Sequence, residues 1–404
     1  MSMKSLGNYS TTLRLSRKKL PNSIILFCIL TGLLVNAYFT QNYPSIRYLS
    51  VAIIFTLVLF RVATALMTQG SDSHFIISVV LLYFIIQCGL NIYREYPANL
   101  NTFIVVFIGY LIQHDCKNLM RWIVLTSILC ITVMLYELID GEYFIQINEA
   151  KFEFGRLQGL FSTSKEAGFF AIAAFILSRL LSKGKMSLDV IFILIAVLSG
   201  TRTAIIFITA CMILEYSVMI ASFRKKIIYK LFVSVTILLA TYYLLTTYYF
   251  TNELEYMLRR ILNSFNFQTS SHIQRIYFWN AYLYGIDNYS IFELVFGAGR
   301  KLNYEFGNGA ESFYLMVLSQ NGILGLIIIV FPFLYVFSRR INYRLMISLM
   351  MLLVFFNVGR IGVGWADGII IWAILFNAFK STQKLKVGDG EATYGAKAYA
   401  ERKA

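Results

Sequence analysis

Four arginines and one glutamate carry most of the chemistry open to this chain. Arg156, Arg202, Arg275 and Arg300 all stand beside glycines, aromatics or small polar residues. A guanidinium presents a planar fork of donors that matches the oxygens of a phosphate. Several such forks near one membrane surface point to an anionic, lipid-linked ligand such as a lipid diphosphate. Each also has a plainer reading, an arginine at headgroup level pairing with ordinary phospholipid. Arg202 resists that reading most, because a charge near bilayer depth is costly without a purpose. Glu311, in the stretch Gly309-Ala310-Glu311-Ser312-Phe313-Tyr314, fits a general base acting on a hydroxyl. It fits equally a carboxylate at a helix N-terminus, held there by the dipole. The 3 histidines are far apart and the 5 cysteines form no CxxC pair. Neither a metal or haem site nor a disulfide framework is expected, and no cofactor is implied. Gly297-Ala298-Gly299 is no dinucleotide fingerprint, since no parallel strand precedes it.

The elements that must hold these residues follow from composition. The chain has 404 residues, of which 58% are hydrophobic and only 14% charged; its mean hydropathy is +0.65. Soluble domains carry about 25% charged residues, so lipid is the solvent that makes this composition sensible. The formal net charge of +15 does not indicate nucleic acid. The Lys and Arg cluster at the ends of apolar runs, where they fix orientation. The apolar runs are continuous rather than alternating, which excludes a membrane barrel. Lipid requires backbone groups to bond internally, so the runs are helices. The expected fold is an all-α polytopic membrane protein of one transmembrane domain, residues 1–404. About twelve spans are expected, at 22–39, 47–66, 74–93, 100–114, 121–139, 166–182, 186–199, 202–221, 227–249, 313–338, 344–357 and 367–379.

Charge asymmetry sets the sidedness. With the N-terminus in the cytoplasm, inner loops hold Lys117 and Arg121, Lys183 and Lys185, Arg224 to Lys226, and Arg339, Arg340 and Arg344. Outer loops carry isolated charges such as Arg47 and Arg94. The basic run before the first span has no cleavage pattern of a signal peptide. Two long loops, 140–165 and 250–312, then lie outside. Within the second, Glu253 to Leu262 and His272 to Leu283 read as amphipathic helices on the membrane surface. Residues 387–404 read as a disordered cytoplasmic tail.

The span from Met186 to Ser199 is short for a hydrocarbon core of about 30 Å. The turn Ser199-Gly200-Thr201-Arg202 should therefore be recessed, with Arg202 facing a protein-lined hollow. Arg61, Arg179 and Glu215 lie near inner ends, where snorkelling accounts for them. Glu137 sits near an outer end and could face the hollow.

The order of these motifs resembles the O-antigen polymerase (Wzy) and O-antigen ligase superfamily of membrane glycosyltransferases. The pieces that carry the resemblance are Gly155-Arg156-Leu157-Gln158-Gly159-Leu160-Phe161 and Leu198-Ser199-Gly200-Thr201-Arg202-Thr203-Ala204. They continue with Gln274-Arg275-Ile276-Tyr277-Phe278-Trp279 and Phe296-Gly297-Ala298-Gly299. Glu311-Ser312-Phe313-Tyr314-Leu315 and Gln320-Asn321-Gly322-Ile323-Leu324-Gly325 complete the set, over residues 140–340. The resemblance implies a GT-C-like integral membrane enzyme of the bacterial inner membrane. It would take a glycan from undecaprenyl diphosphate on the periplasmic face and transfer it to an acceptor hydroxyl, without a metal. Arg156, Arg202, Arg275 and Arg300 would hold the diphosphate; Glu311, Arg202 and Arg275 would be catalytic. A polymerase uses a second carrier-linked repeat unit as acceptor, a ligase uses lipid A-core. Family ligases carry His-Asn where this chain has Glu311-Ser312, which favours a polymerase of O-antigen or capsule repeat units. Membrane lipid and a separate chain-length regulator are the further partners implied.

Two other readings stand beside this one. A lipid-linked oligosaccharide flippase or other transporter would also have about twelve helices. Transporters usually show short external loops and a repeat between halves, neither of which is visible here. A structural or sensory membrane protein has no attached soluble domain to support it.

Overall fold

The computed structural model describes residues 72–113, 116–144, 156–161, 163–181, 186–222, 270–307, 311–338, 341–357, 361 and 366–379. The expected spans 22–39, 47–66 and 227–249, Arg61, the surface helix Glu253 to Leu262 and the C-terminal tail lie outside these residues.

Every described element is helical. In chain order they are α1 (Asp72–Tyr93), α2 (Asn101–Ile112), α3 (Cys116–Asp140), α4 (Ser164–Leu181), α5 (Met186–Leu198) and α6 (Arg202–Ser222). These are followed by α7 (Ser270–Asp287), α8 (Ile291–Phe296), α9 (Lys301–Glu305), α10 (Phe313–Phe337), α11 (Tyr343–Phe355) and α12 (Ala366–Phe379). Each expected span that falls on described residues coincides with one of these helices to within a few residues. Three helices among the described residues are long and apolar enough to cross a membrane: His74–Tyr93, Cys116–Asp140 and Phe313–Phe337. The chain is on this ground a membrane-associated helical protein.

Helix α4 is the centre of the bundle. Its residues from Phe170 to Arg179 are all buried, as befits a helix that is apolar all round. It packs against α3, α5, α6 and α11. Ala171, Ala173 and Ala174 are fully buried, and small side chains let neighbouring backbones approach closely. The same apolar core extends through α2, α10 and α12, where Tyr110 packs on Phe376 and Trp372 on Phe333.

Helix α10 is broken at Gly322, whose φ is 67°. The break frees carbonyls that a continuous helix would use. The segment after α8 fills the gap: Ala298 N donates to Ser319 O at 2.9 Å and Gly299 N to Gln320 O at 3.3 Å. Tyr83 Oη donates to Asn321 O. Gly297 has φ 83°, and a Cβ there would collide with the backbone of Gln320 and Asn321. Both glycines are therefore demanded by close backbone packing at a helix break. The guanidinium of Arg94 holds the same junction, donating to Phe296 O at 2.9 Å, Gly297 O at 2.6 Å and Gln87 Oε1 at 2.8 Å. Read from sequence as an isolated outer charge, Arg94 is instead a fastener between α1 and the α8–α10 junction.

Candidate functional site

The segment Arg156-Leu157-Gln158-Gly159 has no regular structure of its own and is held by a buried carboxylate. Glu137, near the end of α3 and fully buried, accepts from Gln158 N at 2.9 Å, Gly159 N at 3.0 Å and Phe144 N at 3.2 Å. Its role is thus to satisfy loop amides rather than to face a hollow. Leu157 N then donates to Leu198 O at 3.2 Å, which ties the Arg156 segment to the end of α5.

Helix α5 has 13 residues, about 20 Å of helix, too short to cross a bilayer core. The turn after it is inside protein: Ser199 and Thr201 are buried, and Arg202, the first residue of α6, is half-buried. Thr201 Oγ1 donates to Ser164 O at 2.7 Å, so α4 and α6 begin side by side. Gly168 lies one turn into α4 directly against the Thr201 side chain. A larger residue there would push the two helix starts apart.

Helix α10 begins at the same place. Ser312 is its N-cap and accepts from Leu315 N at 3.4 Å; Phe313 N donates to Phe356 O at 2.7 Å. Glu311, one residue ahead of the cap, is not held by the helix dipole alone. Its carboxylate bridges two cations, with Lys165 Nζ 2.8 Å from Oε1 and Arg275 Nε 2.6 Å from Oε2. Burial alone would raise the Glu311 pKa, but the hydrogen bonds and charges of Lys165 and Arg275 outweigh it and bring it down to about 2. Glu311 is therefore ionised at any physiological pH, and a carboxylate so stabilised is a weak base at neutrality.

The segments bearing Arg156, Arg202, Arg275 and Glu311 are thus joined at one end of the bundle by a continuous set of bonds. Three helix N-termini, those of α4, α6 and α10, meet there. Each carries the positive end of a dipole, and Lys165 and Arg202 stand on the first turns of α4 and α6. Cations at helix N-termini are locally unfavourable; here Glu311 pairs with Lys165, and Glu166 stands on the same first turn of α4. Two buried atoms on the segments that bear these residues, Gln158 Oε1 and Trp279 Nε1, have no hydrogen-bond partner. Gln158 is two residues from Arg156, and Trp279 is one helical turn from Arg275.

Arg300 lies apart from this set of bonds. Its backbone N donates to Tyr96 O at 3.0 Å and its side chain is exposed. Lys165 was not singled out from sequence, although it falls in the first long loop on the side expected to be outer. Among the described residues no three His, Cys, Asp or Glu side chains converge on a point suited to a metal.

At the far end of α4, roughly 20 Å along its axis, a second charged group corrects the snorkelling expectation. Arg179 is only 2% exposed. It pairs with Asp189 of α5 at 2.6 Å and Glu215 of α6 at 2.7 Å, and its guanidinium stacks 4.0 Å from the Phe175 ring. Snorkelling fails because two carboxylates from neighbouring helices give the guanidinium partners inside the bundle. No family model matches this chain, and no curated protein is similar enough to be matched.

Proposed function

We propose that this chain is a membrane glycosyltransferase that polymerises surface-polysaccharide repeat units. In this reading it moves a glycan from undecaprenyl diphosphate onto another carrier-linked unit at the outer face of a bacterial inner membrane. The observation that carries the proposal is the gathering of Arg156, Arg202, Arg275 and Lys165 segments around Glu311 where three helices begin. Such an array of fixed donors suits a diphosphate.

The chemistry follows from the parts. The acceptor hydroxyl oxygen bonds to the anomeric carbon of the donor glycan. The bond from that carbon to the diphosphate oxygen breaks, and the electron pair leaves with the diphosphate. The hydroxyl proton passes to water. Arginines already in place offset the growing charge on the leaving group, which is electrostatic stabilisation by preorganised donors. With its pKa held down to about 2 by Lys165 and Arg275 against the effect of burial, Glu311 serves better to orient the acceptor hydroxyl than to remove its proton. Arg300, exposed and apart from these residues, has no part in this step.

One observation favours a second reading. Charged residues buried deep in apolar bundles often mark ion or proton paths, and Arg179, Asp189 and Glu215 are such a group. A flippase or other transporter is the alternative that this supports; a ligase acting on lipid A-core is the nearer variant of the main reading.

Deletion of the gene separates these outcomes. A polymerase deletion leaves lipid A-core bearing a single repeat unit. A flippase deletion leaves repeat units on the cytoplasmic side and none at the surface. Loss of all capped core with carrier-linked glycan held on the outer side of the membrane would favour the ligase.

A further inference from the structure

We propose that the Glu311 carboxylate is an internal stand-in for a phosphate anion, holding Lys165 and Arg275 in position until a phosphate-bearing headgroup exchanges into its place. The proposal rests on the diphosphate reading above and adds Lys165 to the residues that would receive the ligand.

The geometry has the features of an exchangeable site. One carboxylate is shared by two cations from different helices, at 2.8 and 2.6 Å. The trio carries one negative and two positive charges, so it retains a cationic surplus when Glu311 is ionised. The Lys165, Arg275 and Glu311 side chains are 61%, 24% and 34% exposed. The Lys165 pair is open to solvent, where ion pairs are weak, while the Arg275 pair is part-buried, so the ligand that displaces the carboxylate must carry more negative charge than it does. The first-turn positions of Lys165 on α4 and Arg202 on α6 add to the field that draws an anion. Glu311 also lies outside α10, one residue before its cap, so it can swing away without unwinding the helix. Once the cations turn to the ligand, the two interactions that hold Glu311 ionised and weakly basic are gone. Its carboxylate then stands beside the newly bound headgroup.

A fastening role makes the opposite prediction. If Glu311 served only to pin α7 to the start of α10, removing its charge would loosen the site and weaken anion binding.

The test is titration of inorganic pyrophosphate into the purified full-length protein in phosphatidylcholine nanodiscs, wild type against Glu311→Gln. A stand-in predicts tighter binding by the variant, on the order of tenfold, the scale of one charge-assisted hydrogen bond. Equal or weaker binding by the variant of pyrophosphate and of phosphatidylglycerol alike, or binding of neither probe by either protein, overturns the proposal. If Glu311→Gln does not yield folded protein, Lys165→Gln decides. The stand-in predicts several-fold weaker pyrophosphate binding, and unchanged binding overturns it. A parallel arm replaces pyrophosphate with phosphatidylglycerol in the nanodisc. A gain for phosphatidylglycerol without one for pyrophosphate keeps the stand-in but removes the diphosphate reading. A gain for neither, with Arg202→Ala still abolishing polymer in cells, removes the stand-in and keeps that reading.

Discussion

The hydroxyl of Thr201 donates to the carbonyl oxygen of Ser164 at 2.7 Å, and this contact sets the starts of α4 and α6 side by side. It places Lys165 and Arg202 on adjacent first turns, with Gly168 packed on the Thr201 side chain from the next turn. Replacing Gly168 by valine should therefore separate the two helix starts. We expect a large drop in the melting temperature of the purified protein, from overpacking that costs about 1–3 kcal/mol. Gly168→Ala should be milder but in the same direction. A melting temperature unchanged for valine would show that α4 and α6 do not depend on this approach.

Arg202 and Arg275 should be essential for polymer formation if the proposed reaction is right. Alanine at either position is expected to cost about 100-fold in transfer, typical of losing a preorganised donor to a developing oxyanion. Lysine should rescue poorly, since one ammonium cannot replace the guanidinium fork. The readout is the polysaccharide ladder on a gel, with protein levels matched. Long ladders from Arg202→Ala would remove the residue from the mechanism.

Glu137 is expected to act on the Arg156 segment through the backbone. Its carboxylate takes three loop amides, and glutamine retains only one accepting oxygen. Glu137→Gln should leave a buried amide unpaired, at about 1–3 kcal/mol. Proteolysis within 156–161 should become faster, while the helices stay folded by circular dichroism. Protection equal to wild type would mean the carboxylate is not what holds the loop.

Acid should weaken the Glu311 bridge in a defined window. Burial raises its pKa, but Lys165 and Arg275 dominate and lower it from 4.5 to about 2. A folded-state value below the unfolded one contributes stability that is fully present above about pH 4.5. That contribution is lost as pH falls toward 2. Glu311→Gln should therefore flatten the stability curve between those values and change nothing in its slope from pH 6 to 8. A changed slope near neutrality would point to a different titrating group.

The buried triad gives an independent check of the core. Arg179→Met leaves Asp189 and Glu215 without their cation, which should cost about 3–5 kcal/mol. Adding Asp189→Asn and Glu215→Gln to Arg179→Met should recover much of the loss. If the single substitution proves harmless in a thermal melt, the triad is not paired in the folded protein.

The helices were legible because lipid-like composition leaves the backbone one way to satisfy itself. Long apolar runs such as 74–93 and 313–338 announce themselves, and the observed helices Asp72–Tyr93 and Phe313–Phe337 follow them closely. Arg202 and Glu311 stood out in the sequence because each borders an apolar run, and Arg275 because it lies in a long loop between such runs. Their partners were not. Lys165 and Glu311 are 146 positions apart, as are no two residues that local spacing can relate. Arg179 looked able to reach water, and only the arrival of Asp189 and Glu215 on neighbouring helices kept it inside. Arg94 looked like a stray surface charge until the break in α10 brought α8 and its free carbonyls within reach.

By itself, the sequence determined that this protein is built from apolar helices and which polar residues interrupt them. Hydrophobicity and helical hydrogen bonding are properties of neighbouring residues, and both are fully written in the order of the chain. Only the tertiary structure decided that Glu311 bridges Lys165 and Arg275, that Glu137 serves loop amides, and that Arg300 stands apart. Those pairings depend on which helix ends meet. That is settled by packing around α4, where small and large side chains from four helices must fit one another in space.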